Sequence, residues 1–448
     1  MRTFSINTLG CKVNQYESQQ VRQWLEQLGL SKAEKTEKSD LAVINTCCVT
    51  HTASAKSRQR IRKAQKLNPD AVIVVSGCLP TVQIGELSNL GEKVLLINHR
   101  ESLAATLAQV VGSKTASSGS QGLQSSKNNW INQSKLPHLT TFKGHTRAFL
   151  KIQDGCDGYC SYCIVPKTRP FVHSKPLETV LEEAQALVTA GHKEIVLTGI
   201  FLGAYGQKSV RRKNWPSQQN DKLPELLDKM AKIPKLARIR LSSLEPADVT
   251  PRLLDTFTRN RNIMPHLHLS LQSGSSTILK KMGRQYEAEE FRDKVKSIKS
   301  QLDRPAITTD IIVGFPGETD DDFNQTVNLA KDIGFAKMHI FSFSPRKGTA
   351  AANMQHTVDN RIIKKRVQTL YDLNIDLACK FRQQFIGEFA TVLTENSNQP
   401  PYGRSERYFM VYLEKEAKKL EKNQLIRLKL IRNAENRLIG KLDSQKNG

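Results

Sequence analysis

The stretch QDGCDGYCSYC, residues 153–163, sets Cys156, Cys160 and Cys163 within eight positions, and no further Cys or His follows nearby. A structural zinc or closed iron centre takes four protein ligands, so three thiols describe a site with one coordination position left open. Open positions bind reactants. A second trio is dispersed. Apolar runs end in a small or polar residue and then a cysteine three times: TFSINTLGC to Cys11, DLAVINTC to Cys47 and AVIVVSGC to Cys78. One such residue would be a small buried hydrophobe, as free Cys often is. Three at the same strand-end position, beside Gly10, Thr46 and Gly77, read as one shared ligand set. Cys48 follows Cys47 directly and points to the other side of an extended chain. Cys379, in the helical run DLNIDLACKFRQQF, reads as packing.

These thiols need strands to aim them. After Cys11, the positions Val21, Trp24, Leu25 and Leu28 mark one face of a helix stopped by Gly29. Strands alternating with helices over residues 1–112 predict a doubly wound parallel sheet, whose ligands bind at the carboxyl ends of strands. Residues 113–140, rich in Ser, Gly, Gln, Asn and Lys, read as a flexible linker. From 141 to 384 six apolar runs, AFLKIQDGC, EIVLTGI, RIRLSSLEP, HLHLSLQSG, ITTDIIVGFPGE and KMHIFSFSP, mostly alternate with helical segments. Six β/α units predict a partial barrel of the TIM type, with the thiol loop after its first strand, at the catalytic end. The basic run GQKSVRRKNWPSQQNDK interrupts the second unit and reads as a surface loop open to RNA. His266 and His268 alternate with Leu267 and Leu269 on the fourth strand and read as structural. Short alternating runs over 385–448 predict a small antiparallel β-barrel. Its Tyr402, Arg404, Arg407, Tyr408 and Lys429 mix aromatic and basic groups, as an RNA-binding barrel does.

Composition narrows the partners. Lys and Arg total 67 against 43 Asp and Glu, a formal charge of +24, which favours a polyanion, and RNA first. The eight cysteines are too sparse for a disulfide framework in 448 residues and fit metal or redox ligands in a reducing compartment. No apolar run approaches the roughly 20 residues that cross a bilayer. The start MRTFSINTLGC lacks the layout of a secretory signal, so a cytoplasmic chain is expected.

The C-x3-C-x2-C spacing, with Tyr162 before its last Cys, resembles the radical S-adenosylmethionine (SAM) enzymes. That resemblance implies a [4Fe–4S] cluster on Cys156, Cys160 and Cys163, whose free iron chelates the methionine part of SAM and whose electron releases a 5′-deoxyadenosyl radical. NTLGCKVNQYES, NTCCVT and SGC resemble the amino-terminal domain of the methylthiotransferases within that superfamily. LKIQDGCDGYCSYCIVP, IVLTGIFLGAYG, TTDIIVGFPGET and HIFSFSPRKGTAAA resemble their radical core, and the carboxyl-terminal barrel their RNA-binding TRAM domain.

The family resemblance implies that Cys11, Cys47 and Cys78 hold a second [4Fe–4S] cluster that carries the sulfur to be inserted. It implies two roles for SAM, methyl donor and radical source, and separate donors of electrons and sulfur. It places Thr198, Gly199, Ser243, Glu245, Gln272, Gly314 and Gly317 at the cofactor, the two glycines allowing close approach of backbone to adenine. Arg169 is placed at the substrate, although KTRPFVHSK lacks the Ala-Arg-Gly run common in relatives. TLGCKVNQYES favours the branch that acts on N6-threonylcarbamoyladenosine at position 37, in the anticodon loop of tRNA, over the N6-isopentenyladenosine branch. A non-catalytic, metal-stabilised RNA-binding protein is the rival class.

Overall fold

A computed structural model describes residues 1–34, 38–87, 89–115, 136–214, 221–396, 400–414, 420–434 and 437–442. Most of the expected 113–140 linker therefore lies outside the described residues. The chain divides into two compact units, Met1–Lys143 with Cys163–Phe171 and Ser344–Thr349, and Gly144–Tyr162 with Val172–Phe343 and Ala350–Gly448. No helix among the described residues is long and apolar enough to cross a membrane.

The first unit is built on strands β1 (Thr3–Thr8), β2 (Ser31–Lys32), β3 (Leu41–Thr46), β4 (Val72–Gly77) and β5 (Val94–Leu96). They form a parallel sheet in the order β2-β1-β3-β4-β5. Every residue of β3 is buried, as a strand covered on both faces requires. Leu41, Val43 and Val74 pack with Trp24 and Leu25 on one face. Ala42, Ile44, Ile73 and Val75 pack with Ile61, Leu79 and Ile164 on the other. The strand order reverses between β1 and β3, the place where doubly wound sheets open a crevice for ligands.

Two details differ from the sequence expectation. The helix Ser102–Thr115 runs past residue 112. Residues 136–143 also fold onto this unit: Gln20 and Gln23 donate to the carbonyls of Pro137 and His138 at 2.8 Å each, and Leu139 and Phe142 are fully buried. Apolar periodicity over so short an irregular segment gives no sign of this docking.

The second unit holds six parallel strand positions in sequential order: β6 (Ala148–Lys151), β9 (Glu194–Thr198), the broken pair β10 (Arg238–Leu241) and β11 (Ser243–Leu244), β12 (His266–Leu269), β13 (Ala306–Val313) and β14 (Lys337–Ser342). The hydrogen bonding divides at the break between β10 and β11, so the wall is an open barrel of two sheets, as six β/α units predict. The short ladder β7 (Gln153–Asp154) with β8 (His173–Ser174) follows the first strand. After the helix Asn360–Gln383 come β15 (Phe389–Asn396), β16 (Tyr402–Ser405), β17 (Met410–Leu413), β18 (Leu425–Ala434) and β19 (Arg437–Leu442). They close a five-stranded barrel in which β17 and β19 pair parallel and all other pairs are antiparallel. The expected antiparallel barrel thus carries one parallel pair.

Candidate active site with two cysteine clusters

At the carboxyl edge of the first sheet, β1, β3 and β4 each deliver one cysteine. Cys11 caps the helix Lys12–Gln27, Cys47 follows β3, and Cys78 follows β4. Two of these strand ends need glycine. Gly10 has φ +105°, and a Cβ there would stand 2.9 Å from the Cβ of Cys47. At Gly77, φ +93°, a Cβ would strike the backbone of Thr46 at 2.4–2.6 Å. Both conformations are costly for any side chain, so glycine is what lets the cysteines crowd together.

The thiols sense one another. Burial pushes Cys47 up to about 11, and the charges of Cys78 and Cys11 add to that rise. Burial also raises Cys11, with Cys78 contributing. Cys78 moves down: the neighbouring Cys48 thiol hydrogen-bonds to it, and Arg169 and Arg100 supply positive charge. Arg100 Nη2 donates to Cys78 Sγ at 3.2 Å. Neighbouring thiols raise the cost of ionising Cys11 and Cys47 while cations stand beside Cys78, an arrangement that suits a centre whose ligands are all thiolates.

Asn14 and Glu17, one helical turn apart on Lys12–Gln27, organise this edge. Asn14 Nδ2 donates to the carbonyls of Leu9 at 2.8 Å and Thr46 at 3.0 Å, which ties β1 to β3 beside Cys47. Glu17 accepts both terminal nitrogens of Arg169 at 2.8 Å, and Arg169 Nη2 also reaches Asn14 Oδ1 at 3.3 Å. Arg169, expected at the substrate, is thus buried and engaged as the wall beside Cys11 and Cys78. Sequence reasoning missed Asn14, Glu17 and Arg100. The i, i+3 spacing of Asn14 and Glu17 just after Cys11 was the available signal; Arg100 offered none. A cavity of about 320 Å³ opens here, lined by Leu9, Gly10 and Cys47 with Lys56 and Arg60.

In the second unit, the loop after β7 carries Cys156 and Cys160. Gln153 is buried under it, donating to the carbonyls of Asp154 and Gly155 at 2.9 Å and accepting from the backbone of Phe201 at 2.8 Å. Asp157 receives Ser209 Oγ at 2.7 Å and Val210 N at 2.8 Å, and Arg211 stacks on Tyr159 at 3.9 Å. The described part of the basic stretch expected as an open surface loop therefore folds back to brace the thiol loop; residues 215–220 lie outside the described residues. Asp157 is the physical reason, since its carboxylate is the acceptor that this stretch wraps.

Burial lifts the Cys156 thiol to about 12, with the charge of Cys160 adding. Arg284 Nη1 donates to Cys160 Sγ at 3.2 Å while its Nη2 holds Glu245 Oε1 at 2.6 Å. Glu245, at the end of β11, is thereby locked, and Arg212 bonds Asp248 at 2.6 Å beside it. Sequence reasoning also missed Arg284.

The other expected cofactor contacts are distributed as follows. Tyr162 packs on the cluster of Ile278, Met282 and Phe315. Thr198 ends β9, its carbonyl accepting from Ile152 N at 2.9 Å. At Gly199 a Cβ would crowd Gln153 at 3.0 Å. Ser243 is exposed, and Gln272 has φ +69° as its backbone bridges to Ile311. Gly314 has φ +79°, and Ile363 fills the space a Cβ would need at 2.5 Å, so packing requires this glycine. At Gly317, φ +77°, the nearest group is Lys281 Nζ at 3.0 Å.

The aromatic and basic residues expected to touch RNA divide in two. Tyr408, in the turn before β17 with φ +71°, stacks on His266 at 4.6 Å and accepts from Arg147 Nη1 at 3.0 Å. Arg147, Arg240 and Arg404 lie 5.1, 4.8 and 4.5 Å from its ring centre. Beneath it Glu194 is fully buried; burial raises its pKa, but Arg240, Arg147 and Arg238 outweigh that and hold it below the usual range. Arg407 donates to Asp303 at 2.8 Å, and Arg404 to Glu395 at 3.1 Å. Tyr408 and Arg407 join the small barrel to the strand set, whereas Arg404 pairs within the barrel. Tyr402 stacks on Tyr412 at 5.3 Å. Lys429 is exposed opposite Phe389, itself 44% exposed with Arg427 stacked on it at 4.3 Å.

An open six-stranded parallel barrel with a three-thiol loop after its first strand is the radical SAM class of fold, and residues 150–330 match the radical SAM superfamily. Residues 3–98 match the family described as "Uncharacterized protein family UPF0004". The chain is 36% identical over 400 residues to the threonylcarbamoyladenosine tRNA methylthiotransferase MtaB of Bacillus subtilis (strain 168), covering 89% of this chain and 86% of the relative. It is 35% identical over 446 residues to MtaB of Chlamydia pneumoniae, covering 98% of each. It is 33% identical over 403 residues to the tRNA-2-methylthio-N(6)-dimethylallyladenosine synthase of Geobacillus kaustophilus (strain HTA426), covering 89% of this chain and 74% of the relative. Among solved structures, the radical S-adenosylmethionine methyltransferase TsrM of Kitasatospora setae shares the fold with a TM-score of 0.52 at 13% identity, over 76% of this chain and 73% of that one. The chain belongs to the radical SAM methylthiotransferase family.

Proposed function

We propose that this protein inserts a methylthio group at C2 of N6-threonylcarbamoyladenosine at position 37 of tRNA. The observation that carries the reading is the near-complete match to relatives named for that substrate, at 36% and 35% identity. In this reading Cys156, Cys160 and Cys163 hold one [4Fe–4S] cluster and Cys11, Cys47 and Cys78 another. The donor sets fit such groups, being thiol trios with arginines on their sulfurs. When bound, the clusters and SAM supply electron transfer, the radical and the sulfur.

The chain's own residues orient and protect. Arg284 fixes Cys160 and Glu245 in one geometry, Gln153 and Asp157 hold the loop closed, and Asn14 with Arg169 and Glu17 fixes the sheet-edge trio. The stacked Phe389 and Arg427 with Lys429 form the RNA-contacting patch of the small barrel, where a base can stack and phosphates can pair. Electron and sulfur donors act as separate partners, and the site of action is the cytoplasm.

Mass spectrometry of tRNA nucleosides from cells lacking the gene tests the substrate. Loss of 2-methylthio-N6-threonylcarbamoyladenosine is expected; loss of the isopentenyl counterpart would assign the other branch. Iron analysis after anaerobic purification tests the class, with about eight irons per chain expected from two four-iron clusters. Zinc without iron would leave the non-catalytic RNA-binding reading.

A further inference from the structure

A different set of side chains offers a third site. On β12, β13 and β14 the pleat points alternate residues to opposite faces. Leu267, Leu269, Ile307 and Ile311 turn to one face and are buried. His268, Thr308, Asp310 and His339 turn to the other, because His268 pairs in register with Thr308 and Asp310 with His339. His268 Nε2 stands 3.3 Å from Asp310 Oδ2, and the rings of His268 and His339 are 5.8 Å apart at 51°. One ligand atom from each of His268, Asp310 and His339 lies within 4.8 Å of the others.

We propose that His268, Asp310 and His339 bind one first-row divalent metal ion. Ligands at about 2.1 Å around a tetrahedral ion stand roughly 3.4 Å from one another. The His268–Asp310 pair already has that spacing, and His339, exposed on the edge strand β14, closes the set by side-chain rotation. Thr308 Oγ1 lies 3.0 Å from His268 Nδ1, which fixes the ring with Nε2 toward Asp310. The far nitrogen of a metal-binding histidine usually donates to an oxygen of a carboxylate, a backbone carbonyl or water, and the Thr308 hydroxyl takes that place here. Two imidazoles and one carboxylate, without a thiol, select a borderline divalent ion over an iron–sulfur centre. Three protein ligands leave a position for water or an oxygen-bearing ligand. The site uses no cysteine, and it stands whether or not the substrate assignment does.

Titration of the cluster-loaded full-length protein with Zn2+ tests this, since the six cysteines of the two trios are then occupied. The expected result is one zinc per chain, with a zinc K-edge absorption spectrum showing a nitrogen and oxygen shell at about 2.0–2.1 Å and imidazole scattering. His339→Ala and His268→Ala each weaken uptake at least tenfold, and Thr308→Val weakens it about tenfold through the lost orienting bond. His51→Ala, an exposed histidine elsewhere, leaves it unchanged. Because His339 is exposed, its variant keeps the fold. No zinc uptake, a sulfur shell at about 2.3 Å, or unaltered affinity in His339→Ala would each overturn the site.

Discussion

The two cysteine trios reach the same composition by opposite routes. Cys156, Cys160 and Cys163 occupy one short loop, held by bonds from Gln153, Asp157 and Arg284. Cys11, Cys47 and Cys78 come from three strands of one sheet and owe their proximity to Gly10 and Gly77. A loop can be shaped by its own neighbours, whereas a sheet edge is set by strand order. Each trio nevertheless has one sulfur that accepts from an arginine at 3.2 Å, Cys160 from Arg284 and Cys78 from Arg100. The difference teaches that the loop site is a local device and the sheet-edge site a property of the whole unit.

Separating the two sites by function gives the largest effect. Cys160→Ala abolishes SAM cleavage, while Cys11→Ala leaves cleavage intact and stops methylthio transfer. Assays of 5′-deoxyadenosine and of modified tRNA read the two steps apart, and equal loss of both in each variant would break the comparison. Next come the backbones. Gly10→Ala forces a Cβ against Cys47 at positive φ, costing about 1–3 kcal/mol. Iron content then falls by about half while SAM cleavage persists. Gly283→Ala, whose Cβ would meet the carbonyl of Tyr159 at 2.7 Å, does the reverse, sparing transfer-site iron and impairing cleavage. Iron content and thermal unfolding measure both.

Smaller effects sharpen the likeness of the two arginines. Removing a cationic donor from a cluster ligand disfavours the more negative, reduced state, so Arg284→Gln and Arg100→Gln each lower one cluster's potential. The shift is on the order of tens of millivolts, where ~59 mV is tenfold for one electron. Redox titration followed by electron paramagnetic resonance should show each variant moving only its own cluster. The smallest effects belong to Cys48→Ala and Cys379→Ala. Cys48 is buried with its thiol 3.4 Å from the Cys78 carbonyl, and Cys379 Sγ accepts from Asn433 at 3.1 Å. Both variants should keep full iron content and lose no more than about 1–2 kcal/mol of stability.

Much of the molecule was legible in the sequence because its signals are local. The loop trio is a spacing, the six core strands are apolar runs, and the strand-end cysteines repeat one pattern within 80 residues. The residues missed act across distance. Arg100 reaches Cys78 from 22 positions away and Arg284 reaches Cys160 from 124. The same limit hid the partners of Tyr408, Arg404 and Arg407. An aromatic and basic mixture reads as an RNA surface, but 261 residues earlier in the chain Arg147 supplies a partner for Tyr408 that turns it inward.

By itself the sequence determined the two cysteine trios and their spacing, the order of strands and helices, and the radical SAM methylthiotransferase character of the chain. Tertiary structure alone decided which charges stand on which sulfurs, which basic residues remain exposed, and that His268, Asp310 and His339 share one face. The physical reason is reach. Periodicity and turn chemistry act over a few residues, whereas a guanidinium finds its sulfur, or an imidazole its carboxylate, only after strands far apart in the chain lie side by side.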